Sequence, residues 1–485
     1  MAVLVHRSYF QVSAANLATD LAHYGSAAHW RGVYYRGEKI GFTVGQTVPT
    51  EGGFELQEDG RLQMSLLGAT TPASIHTTAR VDRAFALQSF DFSLDPGTGP
   101  VRVAGRVRGL ELTLDITSAG RTRTEVRTLD EPPALMLSLA RRLAGNGLRE
   151  GVRYRWTMFD PATMRNAPVE VVVGRRELVR ANDRPLPAFR VELSFAGLKT
   201  TSWVTDTGEV VREESPMGLL TVAETEERAM SMAVPRQVQL DLLEAAAIVP
   251  QSRHRIDNPR DVQRLRLRLE GADLSSPDLQ GGGQTVDGNV IEIADARTLG
   301  PEPIAAADAA AYLGPEPFIE SDAPEIRDEA VKALGSIQGT RARAERLTRY
   351  VNALLDKKPT VSLPSALDVL RTRVGDCNEH TALYVALARA SGIPARINVG
   401  LASVRNAFYY HAWPEVFVDE GHGTGLWLPV DPTFNQFPAD ATHIRLARGG
   451  LDKQAAIVPL IGRVKIAILD LDLAPDSAPA LVGRP

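Results

Sequence analysis

The amino-acid sequence predicts an α+β protein, with an antiparallel β-rich first half and a second half that mixes helices with strands. Hydrophobic residues alternate with polar neighbours from Leu110 to Ile116 and from Phe189 to Phe195, a period of two that is typical of half-buried antiparallel strands. After residue 300 the hydrophobic spacing becomes helical. A cysteine, a histidine and an aspartate then follow one another in an order that suggests a reactive site.

The composition is that of an ordinary soluble globular protein. The 485 residues are 44% hydrophobic and 23% charged, and the formal net charge is -5. This length suggests two or three domains, and the weak negative charge gives no general attraction to nucleic acid. The basic run from Arg341 to Arg349 is interrupted by Glu345 and is interpreted as a solvated helix face. We therefore expect no nucleic-acid partner.

Cysteine content and the N-terminal segment bear on location. With one cysteine, no intramolecular disulfide can form, which fits a reducing compartment. The first apolar run ends at His6, too early for the core of a signal peptide. No stretch approaches the roughly 18 apolar residues that span a bilayer. As written, the chain is expected to be cytoplasmic and to lack a transmembrane segment; a periplasmic or envelope location is the alternative if the start is truncated.

The pattern divides the chain into four parts. Residues 30–235 are predicted as one β-rich accessory domain with a short helical interruption. Residues 236–300 are predicted as a linker with one or two strands, since glycines and turn residues dominate there. Residues 301–447 carry the helical spacing and the candidate site, and 448–485 are predicted as a C-terminal strand and tail.

Three helices are expected before the cysteine. Asp322 and Glu325 fit a capping box that opens a helix ending near Leu334. A second helix carries apolar residues at helical spacing from Leu347 to Leu355. A third is predicted over Ala366 to Thr372, after Pro364 and Ser365.

Cys377 is predicted to lie in the first turn of a further helix. Asp376 and Glu379 form a second capping-box pattern around it, and Gly392 to Pro394 is a strong stop signal. The positive end of a helix lowers the pKa of a cysteine and favours the reactive thiolate. The Cys377 amide is also a natural oxyanion donor. The alternative from this segment alone is a small buried core cysteine.

His411 and Asp431 are expected on consecutive antiparallel strands. One strand runs through His411 to Val418, a turn follows at Gly421 to Gly423, and the next strand leads to Asp431. Two such strands can bring the imidazole and the carboxylate side by side, so that His411 contacts Cys377 on its other side. Pro414 removes a ladder N–H, which predicts an edge strand or a bulge at that point.

Taken together, these motifs resemble the transglutaminase-like superfamily over about residues 320–445. The motifs that carry the resemblance are Gly375-Asp376-Cys377, Ala388 to Arg396, His411-Ala412-Trp413 and Val430 to Thr433. The resemblance implies a papain-like fold and a thiol acyl-enzyme mechanism. It assigns Cys377 as nucleophile, His411 as its base and Asp431 as the residue that orients the histidine.

The first half also resembles the accessory domain that precedes the catalytic domain in some bacterial members. This resemblance depends on Trp30 to Tyr34 running into Gly37 to Gly41. Such a domain would bind a substrate or partner, or it would be a purely structural neighbour.

The sequence departs from the animal enzymes of the family in two respects. A tryptophan upstream of the cysteine supports the oxyanion there, whereas no tryptophan lies between Trp203 and Trp413 here. The second oxyanion donor is therefore unassigned. No acidic D-x-D-x-D-G loop is present, so calcium activation is not implied. We expect no cofactor.

Two alternatives to an enzyme of this family stay open: a metal site and a non-catalytic binding module. Cys377, His380, His411 and Asp431 could form a metal site, but a second thiol or a metal-type histidine pair is missing, and no metal is expected. His422 and His443 fall in predicted loops and receive no role. Some superfamily members lose the triad and only bind partners, but this chain retains all three residues.

The expected function is thiol-dependent acyl transfer on amide bonds of a peptide or protein. Hydrolysis, as in a cysteine protease or amidase, is slightly favoured over transfer to an amine because no acceptor site can be recognised. The alternatives are a protein-glutamine gamma-glutamyltransferase that crosslinks proteins and a non-catalytic protein-binding module. The substrate and the oligomeric state are left open.

Overall fold

A computed structural model provides the structure of the protein. It describes residues 21–474 except 22–23, 26, 36, 67–68, 96–99, 183, 196, 216–217, 232–246, 273, 275–278, 301, 304–308, 359–364, 422–423, 450–459 and 461–462. Antiparallel strands dominate the first half, and helices with a smaller sheet follow, which confirms the α+β class. The predicted turn at Gly421 to Gly423, His422 and the tail after 474 lie wholly or partly outside the described residues.

One large antiparallel sheet forms the N-terminal part, with the described strands in the order β8-β7-β6-β5-β4-β3-β2-β1-β14-β13-β12-β11-β10-β9. The sheet consists of two meanders, β1 to β8 and β9 to β14, joined where β1 pairs with β14. The strands are β1 His29–Tyr35, β2 Glu38–Pro49, β3 Gly53–Leu66, β4 Ala69–Asp82, β5 Leu87–Asp95, β6 Val101–Arg108, β7 Glu111–Ser118, β8 Arg121–Thr128, β9 Arg153–Asp160, β10 Arg165–Ala181, β11 Arg184–Phe195, β12 Leu198–Val204, β13 Val210–Glu214 and β14 Leu219–Ala223.

The two edges of this sheet are joined by the segment that follows β8. Ala134 bridges to Met158 of β9, and its N–H donates to the Thr157 carbonyl at 2.8 Å while Phe159 N–H donates back to Ala134 at 2.9 Å. Helix α1 (Met136–Gly145) follows at once. The sheet is therefore strongly curved and surrounds an interior that α1 partly fills.

A second sheet lies in the region predicted as a linker. Strands β15 (Val262–Glu270), β16 (Gln284–Asp287) and β17 (Val290–Ala294) pair with β25 (Lys465–Leu473) in the order β16-β17-β15-β25. Three strands are present where one or two were expected, and the alternating leucines of β15 pack in one core with Leu401 and Phe408 of the second half. This region thus belongs structurally to the C-terminal half.

Four helices in the described part of the C-terminal half surround the candidate cysteine. They are α3 Pro324–Leu334, α4 Thr340–Leu354, α5 Ala366–Thr372 and α6 Cys377–Ala390, after the short α2 Glu226–Met230 of the first half. Helix α6 is the central one, and most of its residues are buried. No helix among the described residues is long and apolar enough to cross a membrane.

The predicted capping box at the start of α3 is not formed. The N-cap is Ala323, which offers no side-chain hydrogen bond, and Pro324 occupies the first turn. Proline suits this position because its fixed φ matches the helix and its missing N–H would be unpaired anyway. Asp322 instead lies 3.5 Å from Arg121 of the first half. The predicted start of α5 is confirmed, since Ser365 accepts a hydrogen bond from Asp368 N–H.

The sheet of the C-terminal half has the order β18-β23-β22-β21-β24. Its strands are β18 Glu302–Pro303, β21 Ala395–Val404, β22 Ala407–Gly421, β23 Thr424–Pro429 and β24 Ile444–Arg448, and β19 Asp356–Lys357 pairs separately with β20 Val374–Gly375. Helix α6 packs on β21 and β22, so the cysteine at its start lies against the central strands.

The expectation that Pro414 marks an edge strand or a bulge is wrong. Strand β22 is central, and its register with β21 is continuous through the pair of Ile397 and Pro414. Pairing with β23 begins only at Glu415 and Pro429. Proline is tolerated because it lies where the β23 ladder ends, and its carbonyl still accepts from Val430 N–H at 2.9 Å.

The two halves meet at the hairpin of β7 and β8. The buried Glu320 carboxylate accepts hydrogen bonds from Ser118 of β7 at 3.0 Å and from Ser365 at 2.7 Å. The Leu367 amide at the start of α5 is a third donor. A single carboxylate thus connects the large sheet to the helix that precedes the candidate cysteine.

We expect Glu320→Ala to destabilise the protein by about 2 kcal/mol, because a buried acceptor shared by three donors is lost. Urea unfolding of the intact chain would show a lower midpoint. The matched control is Glu325→Ala, whose exposed side chain lies 4.0 Å from Arg371. Equal midpoints for the two variants would show that Glu320 does not stabilise this contact.

Candidate active site

Cys377 is the first residue of α6, as predicted. Both hydrogen bonds of the capping box are present: the Asp376 side chain accepts from the Glu379 N–H, and Glu379 Oε2 accepts from Asp376 N–H at 2.8 Å. Asp376 Oδ1 also accepts from Asn378 N–H at 3.0 Å. Glycine is required at position 375, because a Cβ there would lie 2.2 Å from the Glu379 side chain. The Gly375-Asp376-Cys377 motif therefore sets the start of the helix and the position of the thiol.

The thiol lies against the backbone of β22. Cys377 is half-buried, and the Ala412 backbone hydrogen-bonds to it and favours its thiolate. Thr381, one turn further along α6, donates to the Ala412 carbonyl at 3.1 Å. These two contacts place the cysteine beside the residue that directly follows His411.

Burial raises the pKa of the Cys377 thiol well above its usual value, and the nearby Asp376 carboxylate raises it further. The expected lowering by the helix N-terminus is therefore outweighed by desolvation and by neighbouring negative charge. Within this closed site the neutral thiol is the favoured form. A reaction at the sulfur then requires a group that accepts its proton.

The structure brings His411 and Asp431 together. Nε2 of His411 lies 2.7 Å from Oδ2 of Asp431, and both side chains are buried. Asp431 is held in turn by Phe434 N–H, which donates to Oδ1 at 2.9 Å. The Phe434 ring stacks on the imidazole at 4.6 Å between centroids. His411 is thereby fixed in orientation, with Nε2 toward Asp431 and Nδ1 left for another partner.

His443, which was predicted to lie in a loop without a role, also contacts Asp431. Its Nε2 lies 3.0 Å from the same Oδ2 atom, and its Nδ1 lies 3.1 Å from the Asp440 carbonyl and 3.2 Å from Asp440 Oδ1. Both ring nitrogens face oxygen acceptors, so the imidazolium form can donate from each. The available signal was an aspartate three residues before a histidine at the start of β24.

The charges of this cluster support one another. Burial alone would lower the pKa of His443, but Asp440 and Asp431 raise it to about 10. Burial alone would likewise raise the pKa of Asp431, but His411 and His443 hold it well below its usual range. Burial would also raise the pKa of Asp440, but His443 and the hydrogen bonds from Thr442 together hold it at about 2. Asp431 is thus a buried anion between two histidines.

Potential metal ligands group differently from the sequence-based alternative. Ligand atoms of His411, Asp431 and His443 all lie within 4.8 Å of one another, whereas Cys377 and His380 are not part of this group. His380 Nδ1 instead contacts the Asp376 carbonyl at 2.7 Å, and burial lowers the pKa of this histidine. The nitrogen–oxygen separations of 2.7 and 3.0 Å in the group are those of hydrogen bonds. We therefore interpret the cluster as a hydrogen-bond network.

A second buried carboxylate supports the same strand. Glu415 of β22 contacts Arg396 at 2.8 Å, Arg445 at 2.7 Å and Arg448 at 3.3 Å. Burial would raise the pKa of Glu415, but the three guanidinium groups, Arg445 foremost, lower it to about 2. Arg445 also donates to the carbonyls of Leu279, Gln280 and Gly281. This network ties β22 and β24 to the segment before β16.

The chain carries a transglutaminase-like domain. Residues 329–432 match the family model described as the transglutaminase-like superfamily, as the resemblance of the motifs implied. The match contains Cys377, His411 and Asp431, and it ends before His443. No curated protein matches the chain.

Parts of the chain are similar to several solved structures. A proposed cysteine protease from Cytophaga hutchinsonii is 17% identical with a TM-score of 0.29, over 44% of this chain and 90% of its own. A β-barrel-like protein with a domain of unknown function from Brucella abortus is 13% identical with a TM-score of 0.32, over 41% and 96%. The periplasmic domain of TgpA from Pseudomonas aeruginosa is 18% identical with a TM-score of 0.24, over 40% and 94%.

We expect the contribution of His443 to stability to depend on pH. Its folded pKa of about 10 lies above the ordinary value of 6.5, so its stabilisation is complete below pH 6.5 and is lost as the pH rises through about 10. The pKa values of Asp431 and Asp440 are lowered. The stabilisation from these two carboxylates is therefore present above about pH 4 and is lost below it. The loss in unfolding free energy caused by His443→Gln should therefore be largest, about 2 kcal/mol, between about pH 4 and pH 6.5.

Chemical unfolding of the intact chain across pH 4 to 10 would measure this difference. The wild type and the variant should converge as the pH approaches 10. The control is His254→Gln, since His254 is exposed. A difference between wild type and His443→Gln that stays constant over the whole range would contradict a buried imidazolium.

Proposed function

We propose that the protein is a thiol-dependent enzyme that cleaves or transfers acyl groups at amide bonds of a peptide or protein. The observation that carries this proposal is the hydrogen bond between Asp431 and His411, which lies on β22 directly before Ala412, the residue whose backbone contacts Cys377. A nucleophile, a base and a group that orients the base are the parts that covalent acyl transfer needs. The matching family model supports the same chemistry.

In the proposed reaction His411 accepts the thiol proton as the sulfur attacks. Nε2 is engaged by Asp431, so Nδ1 takes the proton of Cys377 while a bond forms between Sγ and the substrate carbonyl carbon. The raised pKa of Cys377 makes this transfer part of the attack, because a free thiolate is not favoured beforehand. Asp431 stabilises the imidazolium that results.

Collapse of the tetrahedral intermediate completes the acylation. The carbon–nitrogen bond breaks, His411 returns its proton to the leaving amine, and the acyl group stays on the sulfur as a thioester. The backbone N–H of Cys377, in the first turn of α6, lacks a helical acceptor and can donate to the oxyanion. Water, or an amine, then attacks the thioester with His411 acting again as base.

Hydrolysis is favoured over amine transfer, which makes the protein a protease or amidase. No acceptor-amine site is recognisable in the sequence. Crosslinking by a glutamyl transferase and a purely binding role are the other outcomes that experiment distinguishes. The substrate we propose is a peptide or protein segment.

Product analysis tests this function, with Cys377→Ser as the control variant. The wild-type chain would be incubated with a peptide library and a labelled amine, and the products sorted by mass into cleaved, deamidated and amine-coupled species. We expect cleaved or deamidated products and no turnover by Cys377→Ser, because the hydroxyl lacks the acidity of the thiol. Turnover by the serine variant at the wild-type rate would refute Cys377 as nucleophile.

We further expect His411 and Asp431 to act as a unit. His411→Ala and the double variant with Asp431→Ala should both lose about 10³-fold in the rate of Cys377 acylation by an activated ester, while Asp431→Ala alone should lose less. A misoriented histidine still accepts protons part of the time. Asp431→Asn, which keeps the shape of the side chain, controls for folding. Additive losses would show that Asp431 does not act through His411.

A further inference from the structure

The curved N-terminal sheet encloses a cavity of about 590 Å³. Strands of both meanders and helix α1 line it, and it lies apart from Cys377, His411 and Asp431. Cavities of this volume are typical of small-molecule sites. Its wall is not uniform, and the distribution of polar and apolar groups indicates what it could hold.

One sector of the wall is polar because β1 and β2 turn their apolar faces outward. Trp30, Phe42 and Val44 form a cluster with Leu21 and Ala229 on the outer face. The alternate residues of the same strands line the cavity, among them His29, Arg31 and Thr43. An interior sheet face is usually apolar, so the polar character of this sector requires an explanation beyond folding.

Two polar atoms in this sector are buried without a partner. Arg31 Nε and Thr43 Oγ1 make no hydrogen bond within the described part of the chain. The two residues are direct cross-strand neighbours, so a single ligand group could reach both. Buried unpaired groups of this kind destabilise a fold, and a ligand oxygen that accepts from both would remove that penalty.

The opposite sector is apolar. Leu139 and Leu143 of α1 and Leu135, which caps its start, line it together with Met158 and Phe159 of β9, and all five side chains are buried. A ligand that spans the cavity would therefore bury a hydrocarbon portion here.

Charges in the lining disfavour an anionic ligand. Arg31 already forms an ion pair with Glu58, and His29 lies 3.3 Å from Glu209. Glu213 adds a further carboxylate, which accepts from Ser202 at 2.9 Å. Arg141, a further cation described in the lining, already donates to the Thr207 carbonyl at 2.6 Å and lies 4.0 Å from Glu209. A ligand carboxylate would therefore meet acidic groups and cations that are already engaged, whereas an uncharged carbonyl would not be repelled.

We propose that the N-terminal domain binds an uncharged amphiphile in this cavity, with a carbonyl of its ester or amide head accepting hydrogen bonds from Arg31 and Thr43. The apolar chain of the ligand lies against α1 and β9. This site does not include Cys377, His411 or Asp431. The ligand proposal therefore does not depend on the proposed enzymatic function.

Displacement of the fluorescent reporter N-phenyl-1-naphthylamine from the full chain tests the proposal, with Cys377→Ser used throughout to prevent ester cleavage. The competitors are glycerol monodecanoate, an uncharged ester, and decanoate, its carboxylate counterpart, both below their micellar concentrations. We expect the ester to displace the reporter at a concentration about tenfold lower than decanoate does.

Thr43→Val removes the hydroxyl and keeps the shape, and Arg31→Met removes the guanidinium. Each should raise the displacing concentration of the ester about tenfold and leave the affinity of the carbonyl-free reporter unchanged. Arg106→Met is the matched control, since Arg106 is exposed and pairs with Asp115 on the surface.

Three results would overturn the proposal. They are no displacement by the ester, tighter binding of decanoate than of the ester, and an ester affinity that Thr43→Val leaves unaltered. Thr43→Val decides the matter if Arg31→Met fails to fold, because it changes one hydroxyl.

Discussion

The carboxylate of Asp431 is completely buried, and a buried charge without partners would cost several kcal/mol. The rest of the candidate site is arranged so that this charge is compensated. Two imidazoles and a backbone N–H converge on its two oxygens. The compensation requires β22, the turn after β23 and the start of β24 to meet at one point. The position of His411 is thus determined by the requirement that the buried Asp431 carboxylate be hydrogen-bonded.

The same principle recurs at Glu415, four residues after His411 on β22. Glu415 on β22 is also fully buried and is compensated by arginines from β21 and β24. Because Arg445 additionally holds three successive carbonyls before β16, the segment 279–284 is fixed to the sheet that carries His411. Two buried anions therefore determine the geometry of the central strand, and with it the position of His411 relative to α6.

Local patterns were sufficient to predict much of this arrangement. The capping residues predicted the start of α6 at Cys377, and alternation predicted β21, β22 and the meeting of His411 with Asp431. The predictions that the structure corrected were those that depended on long-range contacts. Pro414 lies in a central strand because β23 ends beside it, and the glycines at 281–283 adopt positive φ angles between paired strands, not in a free linker. His443 was missed because its partner Asp431 is distant in sequence. The raised pKa of Cys377 results from tertiary burial, which overrides the local effect of the helix terminus.

The pairing of β15 with β25 has a consequence for biosynthesis. Leu267 lies opposite Ile468, so the strand that precedes the transglutaminase-like domain can complete its ladder only after the ribosome has made that entire domain. Until then β15 presents an unpaired backbone edge beside its exposed leucines, and such edges are prone to associate with other chains. The late closure of this long loop also carries a large entropic cost that slows folding. The nascent chain is therefore most exposed to misassembly shortly before its last strand leaves the exit tunnel.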